Sequence, residues 1–170
     1  MFEFLFLDLD DTILDFQKAE HVALSKTLRE FGLEPTERVL KRYNLINKAH
    51  WEALERKELT REQVLVGRFQ VLFEEMGITV EPVQVARAYE HNLSIGHWFL
   101  PGAEEAVERL SKKYKLYLAS NGTARVQAGR LESANISHFF QEIFISQEIG
   151  ANKPDIAYFN GCFARIPDFD

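Results

Sequence analysis

The sequence predicts an α/β fold, in which the first strand of a parallel sheet is separated from the others by a long helical insertion. Residues 4–8 begin with the continuous apolar run "FLFL", which is typical of a buried strand. Apolar residues at helical spacing then occupy most of the stretch 16–95. After Pro101 and Gly102, strand and helix patterns alternate, as they do in parallel sheets covered by helices.

Four helices are predicted within the insertion. Gly32 ends the first and Gly77 ends the third, because glycine readily adopts the left-handed conformation that closes a helix. Thr60 and Gln63 have the spacing of a capping box at the start of the third helix. The fourth helix is predicted over Val83–Leu93.

The second half of the sequence supplies the rest of the sheet. The predicted elements are a helix from Ala103 to Leu110, a strand at 115–120, a helix at 124–133, a strand at 143–146 and a helix at about 155–164. We therefore expect an α/β core with three strands, made of residues 1–15 and 98–170. Residues 16–97 would form a separate helical domain.

The composition excludes several classes of protein. Of the 170 residues, 46% are apolar, which is enough for a buried core, and the net charge of −6 argues against nucleic acids and anionic membranes as partners. No apolar run approaches the roughly 18 residues of a membrane span. Cys162 is the single cysteine, so we expect no disulfide framework, a cytoplasmic location, and a buried helical position for this residue.

Polar side chains follow each predicted strand. They are Asp8 and Asp10 at the end of the first, Ser120 and Asn121 at the end of the second, and Lys153 in the loop after the third. Since the carboxyl ends of parallel strands meet at one edge of the sheet, these residues are expected to converge. Carboxylates, a hydroxyl and a lysine suit a phosphate group bound together with Mg²⁺. Taken singly, each has an ordinary alternative: an Asp-rich turn, a Ser-Asn-Gly turn or a solvated lysine.

Three stretches resemble, in order, the motifs of the haloacid dehalogenase superfamily. "DLDDT", with Asp8, Asp10 and Thr12, resembles the first motif, DxDxT; "LYLASNG", with Ser120, resembles the second, and "NKP", with Lys153, the third. The resemblance covers the whole chain and implies a Rossmann-like core with an inserted helical cap. The stretches "LINKAHWEALERKELTREQVLVGRF" and "SQEIGANKPD" are most similar to pyrimidine 5′-nucleotidases of the noncanonical-nucleotide type.

The resemblance implies a role for each of these residues. Asp8 would be the nucleophile that forms an aspartyl-phosphate, and Asp10 would protonate the leaving oxygen and then activate water. The Asp8 carboxylate and the Asp10 carbonyl oxygen would bind Mg²⁺. Ser120 and Asn121 would hold phosphate oxygens, and Lys153 would neutralise charge on the phosphate and the nucleophile.

The resemblance also implies a substrate class, with a pyrimidine nucleoside 5′-monophosphate expected first. Asn47, His50 and Trp51 lie on or beside the apolar stripe of the second predicted helix and could contact the base. Their alternative role is helix packing with satisfied polar groups. Two other functions stay open: hydrolysis of another small phosphate, such as a sugar phosphate or phosphoglycolate, and a catalytically incomplete fragment.

One part of the family pattern is not found in the sequence. The fourth motif, an acidic pair after a further strand, completes the family's magnesium site, whereas here no apolar strand precedes Asp168 and Asp170 in the final "RIPDFD". The expectation is a chain truncated at its C-terminus, with weakened Mg²⁺ binding and turnover. The first strand would then lie at an exposed sheet edge, which favours self-association.

Overall fold

The computed structural model of the protein describes residues 3–167. Within this range the strands are β1 (Phe4–Leu7), β2 (Lys115–Ser120) and β3 (Phe140–Ile145). The α-helices are α1 (Phe16–Glu30), α2 (Glu37–Glu55), α3 (Arg61–Met76), α4 (Pro82–Ser94), α5 (Ala103–Ser111), α6 (Ala124–Ala134), α7 (Ser146–Ile149) and α8 (Ile156–Phe163), with a 3₁₀ helix at Ser137–Phe139. Asp168 and Asp170 lie outside the described residues, so the expectation for them stays a prediction.

The three strands form one parallel sheet in the order β1-β2-β3. Residues 4–7 of β1 pair with residues 115–118 of β2, and β2 pairs with β3 across a register shift at Leu116/Tyr117. The predicted α/β fold with a three-stranded parallel sheet is therefore confirmed. Within the described residues β1 lies at one edge of the sheet, whereas self-association through that edge stays a prediction.

Helices cover both faces of the sheet, because side chains alternate between the two faces along each strand. On one face, Leu118 of β2 belongs to a buried cluster with Val107 of α5 and Leu131 of α6. On the other face, Tyr117 of β2 belongs to a cluster with Cys162 of α8. Cys162 is fully buried in its helix, as the sequence predicted. This three-layer arrangement buries β2 and holds its carboxyl end in a fixed position.

Three predicted strand limits were wrong. β1 ends one residue before Asp8, which belongs to the following loop. β3 begins at Phe140, three residues before the predicted strand 143–146. The prediction missed this part of the strand because Gln141 and Glu142 have exposed side chains that break the apolar pattern. The strand also ends one residue earlier, since Ser146 begins the short helix α7. Because these two exposed polar residues follow the buried Phe140, the apolar pattern did not show where the strand begins.

The chain divides into two compact units. One comprises the residues up to Ala19 and those from Ser94 onward, and the other is Glu20–Leu93. The first unit contains the sheet, and the second contains most of α1 together with α2, α3 and most of α4. The sequence placed the corresponding limits after residues 15 and 97. The assignment of these units as catalytic core and cap stays a prediction.

In the helical unit, α3 begins and ends where the sequence predicted. At the start of α3, Thr60 Oγ1 accepts a hydrogen bond from the Gln63 N–H at 3.3 Å, and Gln63 Oε1 accepts one from the Thr60 N–H at 2.8 Å. This is the predicted capping box. Gly77 ends the same helix with a φ of 65°. Among the described residues, no helix is both long enough and apolar enough to span a membrane.

Candidate active site

A tight loop after β1 presents two of the predicted site residues. The carbonyl oxygen of Leu9 accepts hydrogen bonds from the N–H groups of Ile13 and Leu14, both at 3.0 Å. The side chains of these three residues are buried and anchor the loop. Asp8 and Asp10, on either side of Leu9, remain partly exposed. The loop therefore fixes the backbone while it leaves both carboxylates accessible.

Asp11, a third aspartate in the loop after β1, has a structural role. Asp11 is exposed and adopts a left-handed φ of 56°, which Asp tolerates better than most residues. Its Oδ1 accepts a hydrogen bond from the Phe16 N–H at 2.9 Å, and Asp15 Oδ1 accepts one from the Lys18 N–H at 2.9 Å. The two side chains thus cap the beginning of α1.

The structure brings Asp8 and Lys153 together. The Lys153 ε-ammonium lies 3.1 Å from Asp8 Oδ1, and the same oxygen accepts a hydrogen bond from the Leu9 N–H at 2.8 Å. Lys153 Nζ also donates to the Ala119 carbonyl oxygen, at 2.7 Å. The Asp8 side chain is 44% exposed. Since both contacts fall on Oδ1, the carboxylate is oriented while Oδ2 has no hydrogen-bond partner among the described residues.

Asn121 holds the loop that contains Lys153. Its Oδ1 accepts a hydrogen bond from the Lys153 N–H at 2.7 Å, and its Nδ2 donates to the Lys153 carbonyl oxygen at 2.9 Å. Both ends of the amide are therefore engaged with backbone. The sequence predicted Asn121 as a phosphate ligand and did not predict this positioning contact.

Ser120, the last residue of β2, is buried, and its hydroxyl lies beside the loop that follows. Ser120 Oγ accepts hydrogen bonds from the Gly122 N–H at 3.2 Å and from Gln127 Nε2 at 2.8 Å. Because both partners donate to this oxygen, the hydroxyl proton is directed elsewhere. A phosphate oxygen is one acceptor that such a proton suits.

Two residues of α6 that the sequence analysis missed contact Asp10. Gln127 Nε2 donates to Asp10 Oδ2 at 2.8 Å, and Arg130 Nη1 donates to Asp10 Oδ1. Gln127 and Arg130 are three residues apart, so they lie on the same face of the helix. Their neighbours Val126 and Leu131 are buried on the core side. A glutamine and an arginine within the apolar stripe of a short helix were the signal that could have identified them.

The oxygen atoms near Asp8 suit a hard cation. Asp8 supplies a carboxylate, and the loop's internal hydrogen bonds use the carbonyl oxygens of Leu9 and Leu14, which leaves that of Asp10 for another partner. Mg²⁺ binds oxygen ligands, often one or two carboxylates, and retains several waters. In residues 3–167 no group of three or more His, Cys, Asp or Glu forms a metal site, so the protein ligands here are the Asp8 carboxylate and the Asp10 carbonyl oxygen. These two oxygens fit Mg²⁺ as the protein side of an open, partly hydrated site.

The three residues predicted to contact a base lie on α2. Asn47 is buried, its Nδ2 donates to Glu20 Oε2 at 2.7 Å, and its Oδ1 accepts from Arg68 Nη1 at 2.9 Å. These bonds favour the packing alternative for Asn47. His50 Nδ1 lies 2.8 Å from a carbonyl oxygen one turn earlier, and the ring of Trp51 lies 5.5 Å from a guanidinium carbon at the start of α3. A substrate contact for these residues stays a prediction.

Cys162 and Tyr158 are packing residues of α8. The Cys162 thiol is free and fully buried, and burial raises its pKa above the ordinary value. Burial also raises the pKa of Tyr158, whose hydroxyl donates to the Phe144 carbonyl oxygen at 2.8 Å. Both groups are therefore neutral near pH 7, which agrees with a structural role for Cys162.

Comparison with known proteins establishes the family. The sequence profile of haloacid dehalogenase-like hydrolases matches residues 5–166. The chain belongs to this family. HAD-hydrolase YfnB of Bacillus subtilis is 36% identical over 165 residues, which are 97% of this chain and 70% of YfnB. Pyrimidine 5′-nucleotidase PynA of Streptococcus pneumoniae is 33% identical over 169 residues, which are 99% of this chain and 71% of PynA.

A more distant relative and a solved structure complete the comparison. Glyceraldehyde 3-phosphate phosphatase of Methanothermobacter thermautotrophicus is 27% identical over 173 residues, covering 98% of this chain and 72% of that protein. The crystal structure of Bacillus subtilis YfnB bound to magnesium has a TM-score of 0.95 at 35% identity, over 99% of this chain and 76% of that structure. The predicted family, fold and hydrolase class are confirmed. The roles of individual residues stay predictions.

Proposed function

We propose that the protein hydrolyses phosphomonoesters through phosphorylation of Asp8. The observation that supports this most directly is the 3.1 Å contact between the Lys153 ε-ammonium and Asp8 Oδ1. A cation beside the nucleophile stabilises the negative charge that gathers around phosphorus in the transition state. The relatives named as a pyrimidine 5′-nucleotidase and a glyceraldehyde 3-phosphate phosphatase support a phosphate ester as the substrate.

The proposed reaction has two steps. In the first, an Asp8 oxygen attacks phosphorus, the bond to the leaving oxygen breaks, and Asp10 gives its proton to that oxygen. An alcohol departs and leaves an aspartyl-phosphate. In the second, the Asp10 carboxylate takes a proton from water, the water oxygen attacks phosphorus, and the bond to Asp8 breaks. Inorganic phosphate is released, and the Asp8 carboxylate and protonated Asp10 are restored.

The other residues bind and orient the phosphate in this proposal. Ser120 donates its hydroxyl proton to a phosphate oxygen, and Lys153 neutralises charge between the phosphate and Asp8. Asn121 contributes by holding the Lys153 backbone, in addition to the predicted phosphate contact. The Asp8 carboxylate and the Asp10 carbonyl oxygen would hold Mg²⁺, which supplies positive charge that neutralises and orients the phosphate.

The proposed substrate is a pyrimidine nucleoside 5′-monophosphate. Support comes from two relatives named pyrimidine 5′-nucleotidase: PynA at 33% identity, and YjjG of Escherichia coli at 25% identity. The second candidate is another small phosphate such as a sugar phosphate. It is favoured by the 27% identity to a glyceraldehyde 3-phosphate phosphatase. The higher identity to PynA makes the nucleotide the first choice.

A panel of phosphomonoesters tests the substrate. Phosphate release is measured from pyrimidine and purine nucleoside monophosphates, glyceraldehyde 3-phosphate and phosphoglycolate, with Mg²⁺ and with EDTA. The expected result is the highest kcat/KM for pyrimidine nucleotides and loss of turnover in EDTA. Hydrolysis of sugar phosphates with nucleotides untouched would replace the first choice by the second. No phosphate release from any member would contradict the proposed function.

Asp8→Asn tests the nucleophile. The amide keeps the size of the side chain but cannot attack phosphorus as a carboxylate, so turnover should fall below detection and no acid-stable phosphoprotein should form. Asp11→Asn is the matched control, because asparagine also caps helices and tolerates a left-handed φ, and this variant should retain activity. Wild-type turnover in Asp8→Asn would show that the covalent mechanism is wrong.

A further inference from the structure

We propose that Gln127 and Arg130 of α6 act as positioning residues for the general acid–base Asp10, through what we term the α6 clamp. This inference rests on the proposed function, because it concerns how the proposed acid–base group is held. The clamp engages both oxygens of one carboxylate: Arg130 Nη1 donates to Oδ1, and Gln127 Nε2 donates to Oδ2 at 2.8 Å.

The two residues of the clamp are also hydrogen-bonded to each other. Gln127 Oε1 accepts a hydrogen bond from Arg130 Nη1 at 3.0 Å, which orients the amide with its NH₂ group toward Asp10. The same NH₂ group donates to Ser120 Oγ at 2.8 Å. Gln127 therefore connects Asp10, the proposed acid–base group, with Ser120, the proposed phosphate ligand.

Gly122 leaves the space that the Gln127 side chain occupies. A Cβ atom added to Gly122 would lie 2.4 Å from Gln127 Nε2 and 2.6 Å from Gln127 Cδ, so any side chain at this position would displace the amide. The absence of a side chain at Gly122 thus allows Gln127 to reach both Ser120 and Asp10.

Fold stability does not explain why an arginine occupies position 130. The Arg130 side chain is 1% exposed, and its Nε and Nη2 atoms have no hydrogen-bond partner among the described residues. Its guanidinium carbon lies 5.5 Å from the ring centroid of Phe16. Burial of a cation with unpaired N–H groups lowers stability relative to a well-packed apolar side chain. The contact with Asp10 is therefore the feature that accounts for this residue.

The clamp bears on the proton transfers of Asp10. Donors at both of its oxygens hold the carboxyl group in one orientation beside Ser120, the proposed phosphate ligand. When the leaving group needs no proton, Asp10 acts only in the second step, in which it takes a proton from water. With such a substrate, loss of the clamp should therefore slow the second chemical step more than the first.

Rapid-mixing kinetics with p-nitrophenyl phosphate test this prediction, since p-nitrophenolate leaves without a proton. Arg130→Met removes the charge and keeps an extended side chain. We expect its steady-state rate to fall by about 10–100-fold, after an initial burst close to one p-nitrophenolate per protein molecule. KM should not rise. Arg130→Lys, which keeps the charge, should recover part of the lost rate.

Arg125→Met is the matched control, because Arg125 is an exposed arginine of the same helix, and its kinetics should be those of the parent protein. A structural defect in Arg130→Met would lower the burst and the steady-state rate together, because fewer molecules would be folded. That result, an unchanged rate, or a slow rate without a burst would each overturn the proposal.

A second measurement does not depend on activity. The unfolding equilibrium constants of Asp10→Ala, Arg130→Met and the double variant form a double-mutant cycle. If Arg130 contacts Asp10, the effects should depart from additivity by about fivefold or more in that constant. Additive effects would overturn the proposal. If the effects are non-additive but the parent protein hydrolyses no phosphomonoester, the proposed function is contradicted. The clamp is then a structural contact only, and its positioning role is overturned as well.

Discussion

The side chain of Asn121 brackets the backbone of Lys153, with one hydrogen bond of 2.7 Å to the Lys153 N–H and one of 2.9 Å to its carbonyl oxygen. These two bonds join the loop after β2 to the loop that follows β3 and the short helix α7. Lys153 Nζ in turn contacts Asp8 Oδ1 in the loop after β1. A single lysine therefore connects the carboxyl ends of all three described strands, and an amide from a different loop sets its position.

Asn121→Ala should destabilise the protein and impair catalysis. The substitution leaves the Lys153 N–H and carbonyl oxygen without their partner, which lowers the free energy of unfolding by roughly 1–3 kcal/mol. Urea denaturation measures this loss, and phosphate release measures the accompanying fall in kcat/KM. Asn121→Asp keeps an acceptor for the N–H but loses the donor, so its effect should be intermediate. An unchanged unfolding midpoint in Asn121→Ala would show that the two bonds do not hold in solution.

Lys153→Met should lower kcat by about 10²–10³-fold, the size of effect seen when one electrostatic stabiliser of a transition state is removed. Methionine keeps an apolar stem of similar length but lacks the ammonium that contacts Asp8. Steady-state phosphate release at saturating substrate is the measurement. Lys113→Met, at an exposed lysine after α5, provides the control and should retain parent activity. Equal rates in the two variants would remove Lys153 from the mechanism.

Asp10→Ala should slow the first turnover in a way that depends on the leaving group. An alkyl phosphate needs a proton on its leaving oxygen, so the loss of the general acid should reduce the rate by about 10²–10⁴-fold. p-Nitrophenyl phosphate needs no proton at this step and should lose much less. Rapid-quench measurement of the first turnover with both substrates separates these effects. Equal losses for the two substrates would rule out Asp10 as the proton donor.

The stability of the helical unit should fall at alkaline pH. Burial raises the pKa of Tyr43 and of Tyr89 above the ordinary value of about 10. Because the folded state then retains protons that the unfolded state releases, the free energy of unfolding should decrease as the pH rises above about 10. Tyr43→Phe removes one titrating group and should flatten this decrease. Denaturant titrations from pH 8 to pH 11 measure the slopes, and equal slopes would contradict the prediction.

The sequence by itself determined the order of the strands and of every α-helix except the short α7, the capping box of α3 and the residues that follow each strand. These features depend on local periodicity, on turn residues and on short motifs, so they can be recognised without knowledge of distant contacts. The prediction that Asp8 and Lys153 converge also followed from the sequence, since the carboxyl ends of parallel strands meet at one edge. The limits of β3 were misplaced because Gln141 and Glu142 lie on an exposed part of the strand.

Only the tertiary structure decided which side chains hold the predicted residues in place. The hydrogen bonds between Asn121 and Lys153, and those that Gln127 and Arg130 donate to Asp10, join residues 32, 117 and 120 positions apart in the chain. No local pattern specifies such pairs, because an amide or a guanidinium on a helix or loop can bond to whichever buried partner the packing brings near. The orientation of the proposed acid–base group therefore depends on how α6 packs against the sheet, which is a property of the folded chain.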